Sequence, residues 1–338
     1  MRSRIGILLG VLAALSMVAV GACGATARKQ DGAAVGASAA SEPFGGLRIM
    51  VPNTPGGGYD TTARTAAKVM EDTGITSGIQ VFNLPGAGGT VGLQRMINEK
   101  GNGRLAMLMG LGVVGASYTS KSAATLTQTT PIAKLIEEAG AIVVAKDSPY
   151  RTIGDLVKDW KKDPKKVAVG GGSLPGGPDH LLAMRLAKAV GIEPKRVNYI
   201  SYDGGGELLP AILGGKVGFG VSGYSEFLDQ VEAGTLRVLA VSSAEPIDVI
   251  KDVPTLKASG IDLLFTNWRG IVAPPGIGDA DEKTWIDAVT RMHDSQAWKT
   301  ELTKRGWTDS FVTGADFAAY LAEQDKSVAA ILSELGLA

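Results

Sequence analysis

Short apolar runs alternate with amphipathic segments from Leu47 onward, a pattern typical of folds in which helices pack on a sheet. At three places an apolar run ends in a glycine-rich turn directly before a predicted helix. These turns are Gly56-Gly57-Gly58 with Asp60, Gly86-Ala87-Gly88-Gly89 with Thr90, and Gly170-Gly171-Gly172-Ser173 ahead of Pro178. The repeated order of strand, glycine turn and helix predicts an α/β fold.

The same pattern indicates how the fold is divided. Strands are predicted at 47–51, 79–82, 105–109, 141–145, 167–169, 196–200, 217–221, 236–241 and 271–273. Thr152 is expected to cap a helix that ends near Trp160, and the chain from about residue 281 onward is expected to be almost wholly helical. The length suggests two lobes, with residues 46–147 and 268–338 in lobe 1 and 148–267 in lobe 2. The chain would cross between them near 146–150 and return near 266–270, leaving a ligand cleft between the lobes.

The amino terminus predicts export. Arg2 and Arg4 precede an apolar stretch from Ile5 to Val20, which is short for a membrane span but suits a signal peptide. Cys23, the single cysteine of the chain, follows small residues at the end of this stretch. The arrangement resembles a bacterial lipobox, so residues 1–23 are interpreted as a lipoprotein signal whose cysteine becomes acylated, and an uncleaved membrane anchor is the alternative. Residues 24–45, rich in Ala, Gly and Ser, are expected to form a flexible tether.

Composition excludes several classes of function. The chain has 34 basic and 34 acidic residues, and the loss of Arg2 and Arg4 with the leader leaves 32 basic ones. This balance carries no electrostatic signature of nucleic-acid binding. The sequence contains no nucleophile-elbow motif and no His, Cys and Glu set with metal-ligand spacing, and its two histidines are His180 and His293. We therefore expect no cofactor, no metal and no enzymatic activity.

The glycine turns are the predicted binding site. A helix start presents unpaired N–H groups and the positive end of the helix dipole, and glycine lets a ligand approach that backbone closely. The second turn is similar to a dinucleotide fingerprint, but its third glycine is misplaced and no acidic residue follows at the required distance. Asp60 is expected mainly to cap its helix and orient the loop, and His180, just after the third turn, either faces the cleft or serves as a capping or hinge residue. Three such turns favour a backbone-lined cleft for an anion.

Several motifs resemble the substrate-binding receptors of tripartite tricarboxylate transporters, the Bug family. The first turn, from Pro55 to Asp60, resembles that family's Pro-Gly-Gly loop, and the second resembles its Asn-x-Pro-Gly-Ala-Gly-Gly loop. Further resemblances, in the expected order, are Gly170, Gly172, Ser173 and His180 in a lengthened turn, Tyr202-Asp203-Gly204, Gly214-Gly215-Lys216-Val217, Val253-Pro254-Thr255, and Trp268 with Gly270.

The resemblance implies a two-lobed, periplasmic-binding-protein-like "Venus flytrap" that captures a small organic anion, a carboxylate, and delivers it to membrane permease subunits. In this family loop amides, hydroxyls and water hold the carboxylate rather than an arginine clamp. Tyr59, unusual in its loop, would either stack on an aromatic ligand or close the cleft. The ligand-binding residues this predicts are Gly57, Gly58, Tyr59, Asp60, Asn83, Gly86, Ala87, Gly88, Ser173, His180 and Asp203.

We expect a monomer held on the outer face of the cell membrane, or in the periplasm, by a lipid anchor at Cys23, without nucleic-acid partners. Two alternatives remain open from the residues. One is the binding protein of another uptake or sensory system for a non-carboxylate solute, and the other is an extracellular α/β hydrolase.

Overall fold

The computed structural model describes residues 44–337. The predicted signal peptide, Cys23 and nearly all of the predicted tether lie outside the described residues. Within residues 44–337 no helix is both long and apolar enough to span a bilayer.

The described chain alternates strands and helices as the sequence predicts. The strands are β1 Leu47–Val51, β2 Ile79–Asn83, β3 Leu105–Gly110, β4 Thr130–Ala145, β5 Val169–Gly171, β6 Tyr199–Ser201, β7 Phe219–Gly223, β8 Leu236–Val241, β9 Thr266–Ala273 and β10 Trp307–Thr313. The helices are α1 Gly58–Asp72, α2 Thr90–Asn98, α3 Leu111–Thr119, α4 Ile153–Lys162, α5 Pro178–Ala189, α6 Gly205–Leu213, α7 Leu228–Glu232, α8 Asp279–Asp294, α9 Gln296–Arg305 and α10 Gly314–Glu334.

The strands form one curled mixed sheet in the order β2-β1-β3-β9-β4-β7-β5-β6, with β8 and β10 also paired to β4. In the first lobe, β2, β1 and β3 are parallel, and β9 and β10 run antiparallel to their neighbours. In the second lobe, β6, β5 and β7 are parallel, and β7 and β8 run antiparallel to β4. The glycine turns therefore follow parallel strands at their carboxyl ends, where open α/β sheets bind ligands.

Strand β4 belongs to both lobes. Its residues from Thr130 to Ala139 pair with β9, and its residues from Gly140 to Ala145 pair with β7 or β8. The partners thus change inside a continuous strand, upstream of the predicted crossing near 146–150. The predicted lobe boundaries themselves remain a prediction.

Local sequence accounts for several element boundaries. Thr152 caps α4 as predicted: its hydroxyl accepts the Asp155 N–H at 3.1 Å, and the Asp155 carboxylate accepts the Thr152 N–H at 2.9 Å. All six residues of β3 are buried, as expected of a strand covered on both faces. Helix α8 packs on β4 and α1, and α10 packs on β4 and α3, so both contact elements of the first lobe.

The prediction of an almost wholly helical C-terminal part is wrong, because β10 separates α9 from α10. Gly306 ends α9 in the left-handed conformation at φ 63°, which releases the chain into an extended segment. That segment pairs antiparallel with β4 and buries Trp307. Tertiary pairing with β4 decides its conformation.

Candidate functional site

A pocket lies between the two lobes, with a cavity volume of about 50 Å³. The first lobe contributes Pro52, Asn53, Gly58, Tyr59, Gly88, Gly112, Asn267 and Arg269, and the second contributes Gly172, Ser173, Leu174, Pro178, Asp179, Asp203, Gly204 and Glu226. All three predicted glycine turns therefore reach one pocket. Of the predicted ligand-binding residues, Gly58, Tyr59, Gly88, Ser173 and Asp203 line it.

The first turn is held by Asp60 and Asn83, which do not line the pocket. The Asp60 carboxylate accepts hydrogen bonds from the Gly56 N–H at 3.0 Å, from Arg64 at 2.9 Å and from the Asn83 amide at 2.9 Å. The Asn83 amide also donates to the Asn53 carbonyl at 3.0 Å. Burial alone would raise the pKa of Asp60, but these hydrogen bonds and the Arg64 charge lower it below its usual value. Asp60 thus stays ionised and fixes the loop so that α1 begins at Gly58, beside the pocket.

The second turn reaches the pocket through Gly88. Ala87, Gly88 and Gly89 all have positive φ, with Ala87 at 47° and Gly88 at 64°. A Cβ on Gly88 would lie 2.6 Å from the Ala116 Cβ and 3.3 Å from the Leu174 side chain. Glycine is needed there because the backbone passes closely between α3 of the first lobe and the third turn of the second. Gly86 and Ala87 shape this turn but are not among the lining residues.

The third turn places Ser173 in the pocket and His180 behind it. The Ser173 hydroxyl accepts the Asp179 N–H at 3.1 Å and so ties the turn to the first turn of α5. The His180 ring accepts the Gly176 N–H at 3.3 Å and packs edge-on against Tyr199, with ring centroids 4.8 Å apart. Burial lowers the pKa of His180 to about 4, so its ring is neutral at physiological pH. His180 does not line the pocket and instead holds the turn.

A fourth turn, before α6, closes the pocket from the second lobe. The Thr54 hydroxyl of the first lobe donates a hydrogen bond to the Asp203 carbonyl. A Cβ on Gly57 would lie 3.3 Å from the Gly204 Cα, and a Cβ on Gly206 would lie 2.8 Å from the Pro55 carbonyl oxygen. Gly57, a predicted ligand-binding residue, therefore packs against the opposite lobe. The two lobes are in contact, so the molecule is in a closed conformation.

The floor of the pocket carries charges that sequence analysis missed. Arg269, on β9, is 1% exposed and pairs with Glu138 at 2.6 Å and with Glu226 at 3.4 Å. Burial alone would lower the pKa of Arg269, but the two carboxylates raise it above its usual value. An arginine therefore lies at the site, although none falls within the three turns. Its position within the Trp268-x-Gly270 motif was the one available signal.

A pair of buried acids lies beside this arginine. The Ser222 hydroxyl is 3.1 Å from the Asp179 carboxylate and 3.1 Å from the Glu226 carboxylate. Glu226 also accepts the Gly205 N–H at 2.9 Å. Burial raises the pKa of both acids, and for Asp179 the neighbouring Glu226 charge adds to the effect. These two acids and Arg269 come from distant segments that no local motif connects.

Three polar atoms of pocket-lining residues are buried without a hydrogen-bond partner: the Asn53 side-chain oxygen, the Asn267 side-chain oxygen and the Arg269 Nε. The buried Tyr59 hydroxyl lies against the backbone N–H groups of Gly112 and Val113. Unpaired buried polar groups are costly, so each marks a place where a ligand or water atom is needed. Tyr59 is 9% exposed and its ring fills the space beside Gly112, which favours its role in closing the cleft. Within residues 44–337 no group of His, Cys, Asp and Glu is arranged to hold a metal ion.

This architecture defines the class of periplasmic solute-binding proteins: two α/β lobes, one mixed sheet passing through both, and a pocket between them. Solved structures agree on the fold. BugD, a periplasmic binding protein, is 22% identical with a TM-score of 0.78 over 87% of this chain and 99% of its own. MatC from Rhodopseudomonas palustris, solved with bound malate, is 22% identical with a TM-score of 0.73 over 87% of this chain and 98% of its own.

The family follows from the sequence comparison. The model of the tripartite tricarboxylate transporter family receptor matches residues 62–337, so the chain belongs to this family of solute-binding receptors. A relative from Cupriavidus necator, named "UPF0065 protein in gbd 5'region", is 29% identical over 299 residues, which are 86% of this chain and 88% of that protein. The expected Bug-type resemblance and fold are confirmed.

Proposed function

We propose that this protein is an extracytoplasmic receptor that captures a small carboxylate in the interlobe pocket and delivers it to membrane permease subunits. It catalyses no reaction and is held at the outer face of the membrane by a lipid on Cys23. The family description, a receptor of the tripartite tricarboxylate transporter family, supports the proposal of permease partners.

The observation that carries the proposal is the convergence of helix starts on one pocket. Helix α1 begins at Gly58 and α5 at Pro178, and both residues line the pocket, as does Gly204 immediately before α6. At α1 the first N–H groups have no partner within the helix and are oriented to receive negative charge. Helix α5 begins with a proline, which has no N–H, and the Asp179 and Gly205 N–H groups already donate to Ser173 and Glu226, so α5 and α6 contribute the positive ends of their dipoles. The structural relative MatC was solved with malate, a dicarboxylate, in the same fold. Carboxylate binding is the function that these donors support best.

A thermal-shift panel tests the proposal. Purified protein is titrated with mono-, di- and tricarboxylates, amino acids, inorganic phosphate and neutral sugars. A ligand at 100 times its dissociation constant should stabilise the folded state by about 2.7 kcal/mol. A rise in melting temperature with a carboxylate-bearing compound supports the proposal, and a rise with phosphate or sugar alone contradicts it. Native mass spectrometry of the purified protein then identifies a retained ligand.

Delivery is tested in cells. Deleting the gene should abolish uptake of the bound carboxylate, and restoring it should recover uptake only when the transporter's membrane subunits are present. Undiminished uptake in the deletion strain would assign this receptor to another system.

A further inference from the structure

The pocket floor buries more negative than positive charge. Three carboxylates, those of Glu138, Asp179 and Glu226, surround one guanidinium, that of Arg269. Glu138, Asp179 and Arg269 are buried residues, and the side chain of Glu226 is 6% exposed. Asp203, another pocket-lining acid, adds to the imbalance. Burying unpaired carboxylates is costly, so the site needs a further positive group or a proton when it is closed.

Asp179 is the carboxylate that lacks a cation. Arg269 pairs with both Glu138 and Glu226, whereas no ion pair joins Asp179 to any basic side chain within residues 44–337. The titratable or charged groups around Asp179 are Glu226, Arg269, Tyr59 and Tyr199. Of these only Arg269 is positive, and its charge is already shared by two acids.

The Ser222 contacts lead to the same conclusion. A hydroxyl has one proton, so Ser222 can donate to Asp179 or to Glu226 but not to both, although both oxygens lie 3.1 Å away. Glu226 has other donors, the Gly205 N–H and Arg269. The donors to Asp179, the Ser222 hydroxyl and the Gly172 N–H, are both uncharged, so no cation neutralises this carboxylate, which lines the pocket.

Unpartnered atoms in the same pocket point to a ligand there. The side-chain oxygens of Asn53 and Asn267 are buried on pocket-lining residues, and neither has a hydrogen-bond partner. Both can accept a hydrogen bond, as can the Asp179 carboxylate. The pocket thus offers acceptors as well as donors, and Asp179 supplies one of the acceptors from the first turn of α5.

We infer that the ligand carries an ammonium group as well as a carboxylate, and that Asp179 receives the ammonium. The carboxylate binds at the helix starts, and the ammonium supplies the positive charge that the floor lacks. Asp179 is therefore a specificity-determining residue, and the favoured ligand class is the amino acids. This inference rests on the proposed function, because it presupposes that a carboxylate binds in this pocket.

The test compares matched compounds that differ only in the amine. Isothermal titration calorimetry with the full mature protein measures the affinity for L-aspartate against succinate, L-glutamate against glutarate, 2-aminoadipate against adipate, and leucine against 4-methylpentanoate. Within the pair that fits the pocket, the amino acid should bind about 100-fold more tightly, as expected for a buried charge pair.

The Asp179→Asn variant tests whether the Asp179 carboxylate is the group that binds the ammonium. In this variant the preferred amino acid should bind about 100-fold more weakly, while the affinity for its matched acid without the amine stays equal or rises. Asp262→Asn removes the same charge from an exposed position and should leave both affinities unchanged. If Asp179→Asn does not fold, the matched pairs on the unmodified protein decide the question.

The outcomes separate the two proposals. Tighter binding of an acid than of its amino counterpart, or equal binding of both, overturns the inference and leaves the carboxylate receptor intact. An amino-acid preference that survives Asp179→Asn assigns the ammonium to another group and overturns the role of Asp179. Binding of phosphate or sugar alone overturns the proposed function and the inference with it.

Discussion

The guanidinium of Arg269 lies 3.4 Å from the carboxylate of Glu226, and this ion pair joins the two lobes at the bottom of the pocket. Arg269 belongs to β9 in the first lobe, and Glu226 follows β7 in the second. Opening the lobes would separate the pair, whereas the contact between Arg269 and Glu138 would persist because both residues lie in the paired strands β9 and β4. Closure therefore completes the neutralisation of Glu226.

Arg269→Met is expected to destabilise the protein by about 3–5 kcal/mol, because it leaves buried carboxylates without their cation. Urea unfolding at neutral pH measures the change. Lys283→Met removes one partner of an exposed ion pair with Asp287 and should cost less than about 1 kcal/mol. Equal effects of the two substitutions would show that the buried ion pairs contribute little.

Asp179→Asn is expected to stabilise the ligand-free protein at neutral pH. Burial and the Glu226 charge raise the pKa of Asp179 in the folded state above the ordinary 3.8 of the unfolded chain. The folded state then binds more protons than the unfolded one, so stability falls as the pH rises from about 4 through the raised pKa. The asparagine variant does not lose stability in this way, because its side chain carries no titrating carboxyl group.

Urea unfolding between pH 4 and pH 8 measures whether Asp179→Asn raises or lowers the free energy of unfolding. The unfolding free energies of the variant and the unmodified protein should meet near pH 4 and separate above it, with the variant the more stable. Asp262→Asn, at an exposed position, should follow the unmodified protein throughout. A variant that is less stable at pH 7 contradicts the prediction.

Gly88→Ala should abolish ligand binding and destabilise the fold by more than the backbone penalty alone. Alanine at φ 64° costs about 1–2 kcal/mol, and its Cβ would also meet Ala116 at 2.6 Å. Gly74→Ala provides the matched control, because Gly74 has φ 67° and no atom within 4 Å of the added Cβ. Thermal unfolding and calorimetric titration of both variants separate the two effects, and identical behaviour would exclude a special role for the second turn.

Gly115→Ala should hold the lobes apart. The added Cβ on α3 would lie 1.9 Å from the Gly176 carbonyl oxygen of the opposite lobe, so the closed state is disfavoured and the apparent ligand affinity falls about tenfold or more. Small-angle scattering should give a larger radius of gyration in the presence of ligand. Gly154→Ala, in a helix with only an ordinary contact at 3.6 Å, should change neither quantity. An unchanged affinity for Gly115→Ala would mean that this contact is absent from the bound state.

Cys23→Ala should move the protein from the membrane fraction to the soluble fraction, because the thiol is the predicted site of acylation and each buried methylene of a lipid contributes about 0.8 kcal/mol. Fractionation followed by immunoblotting measures the distribution, and Ser16→Ala within the predicted leader is the control. Retention of the Cys23 variant on the membrane contradicts lipid anchoring.

The glycine turns were predictable because their signals are local. A strand, a run of glycines and a helix start lie within about 10 residues of each other, and their physical roles follow from backbone geometry alone. The same locality made the Thr152 cap predictable. The convergence of the turns followed from the rule that parallel strands present their carboxyl ends at one edge of a sheet.

The charged floor was not predictable in this way. Glu138, Asp179 and Arg269 meet through pairings between segments about 40 to 130 residues apart, as when β4 lies beside β9. Buried charges also prevented the first part of β4 from being identified as a strand. The first part of β4 contains Lys134 and Glu138, both buried, which interrupt the apolar pattern that identifies a strand. Buried charges that pair over long distances leave no local signature.

Strand β4 also limits how the two lobes can move relative to each other. Receptors whose lobes are joined by loose linkers can swing widely, but here an unbroken hydrogen-bonded ribbon runs from one lobe into the other. Separation of the lobes must bend or twist β4. We therefore expect β4 to favour a single relative orientation of the lobes. We then expect release of the bound ligand to require a membrane partner that holds the two lobes apart.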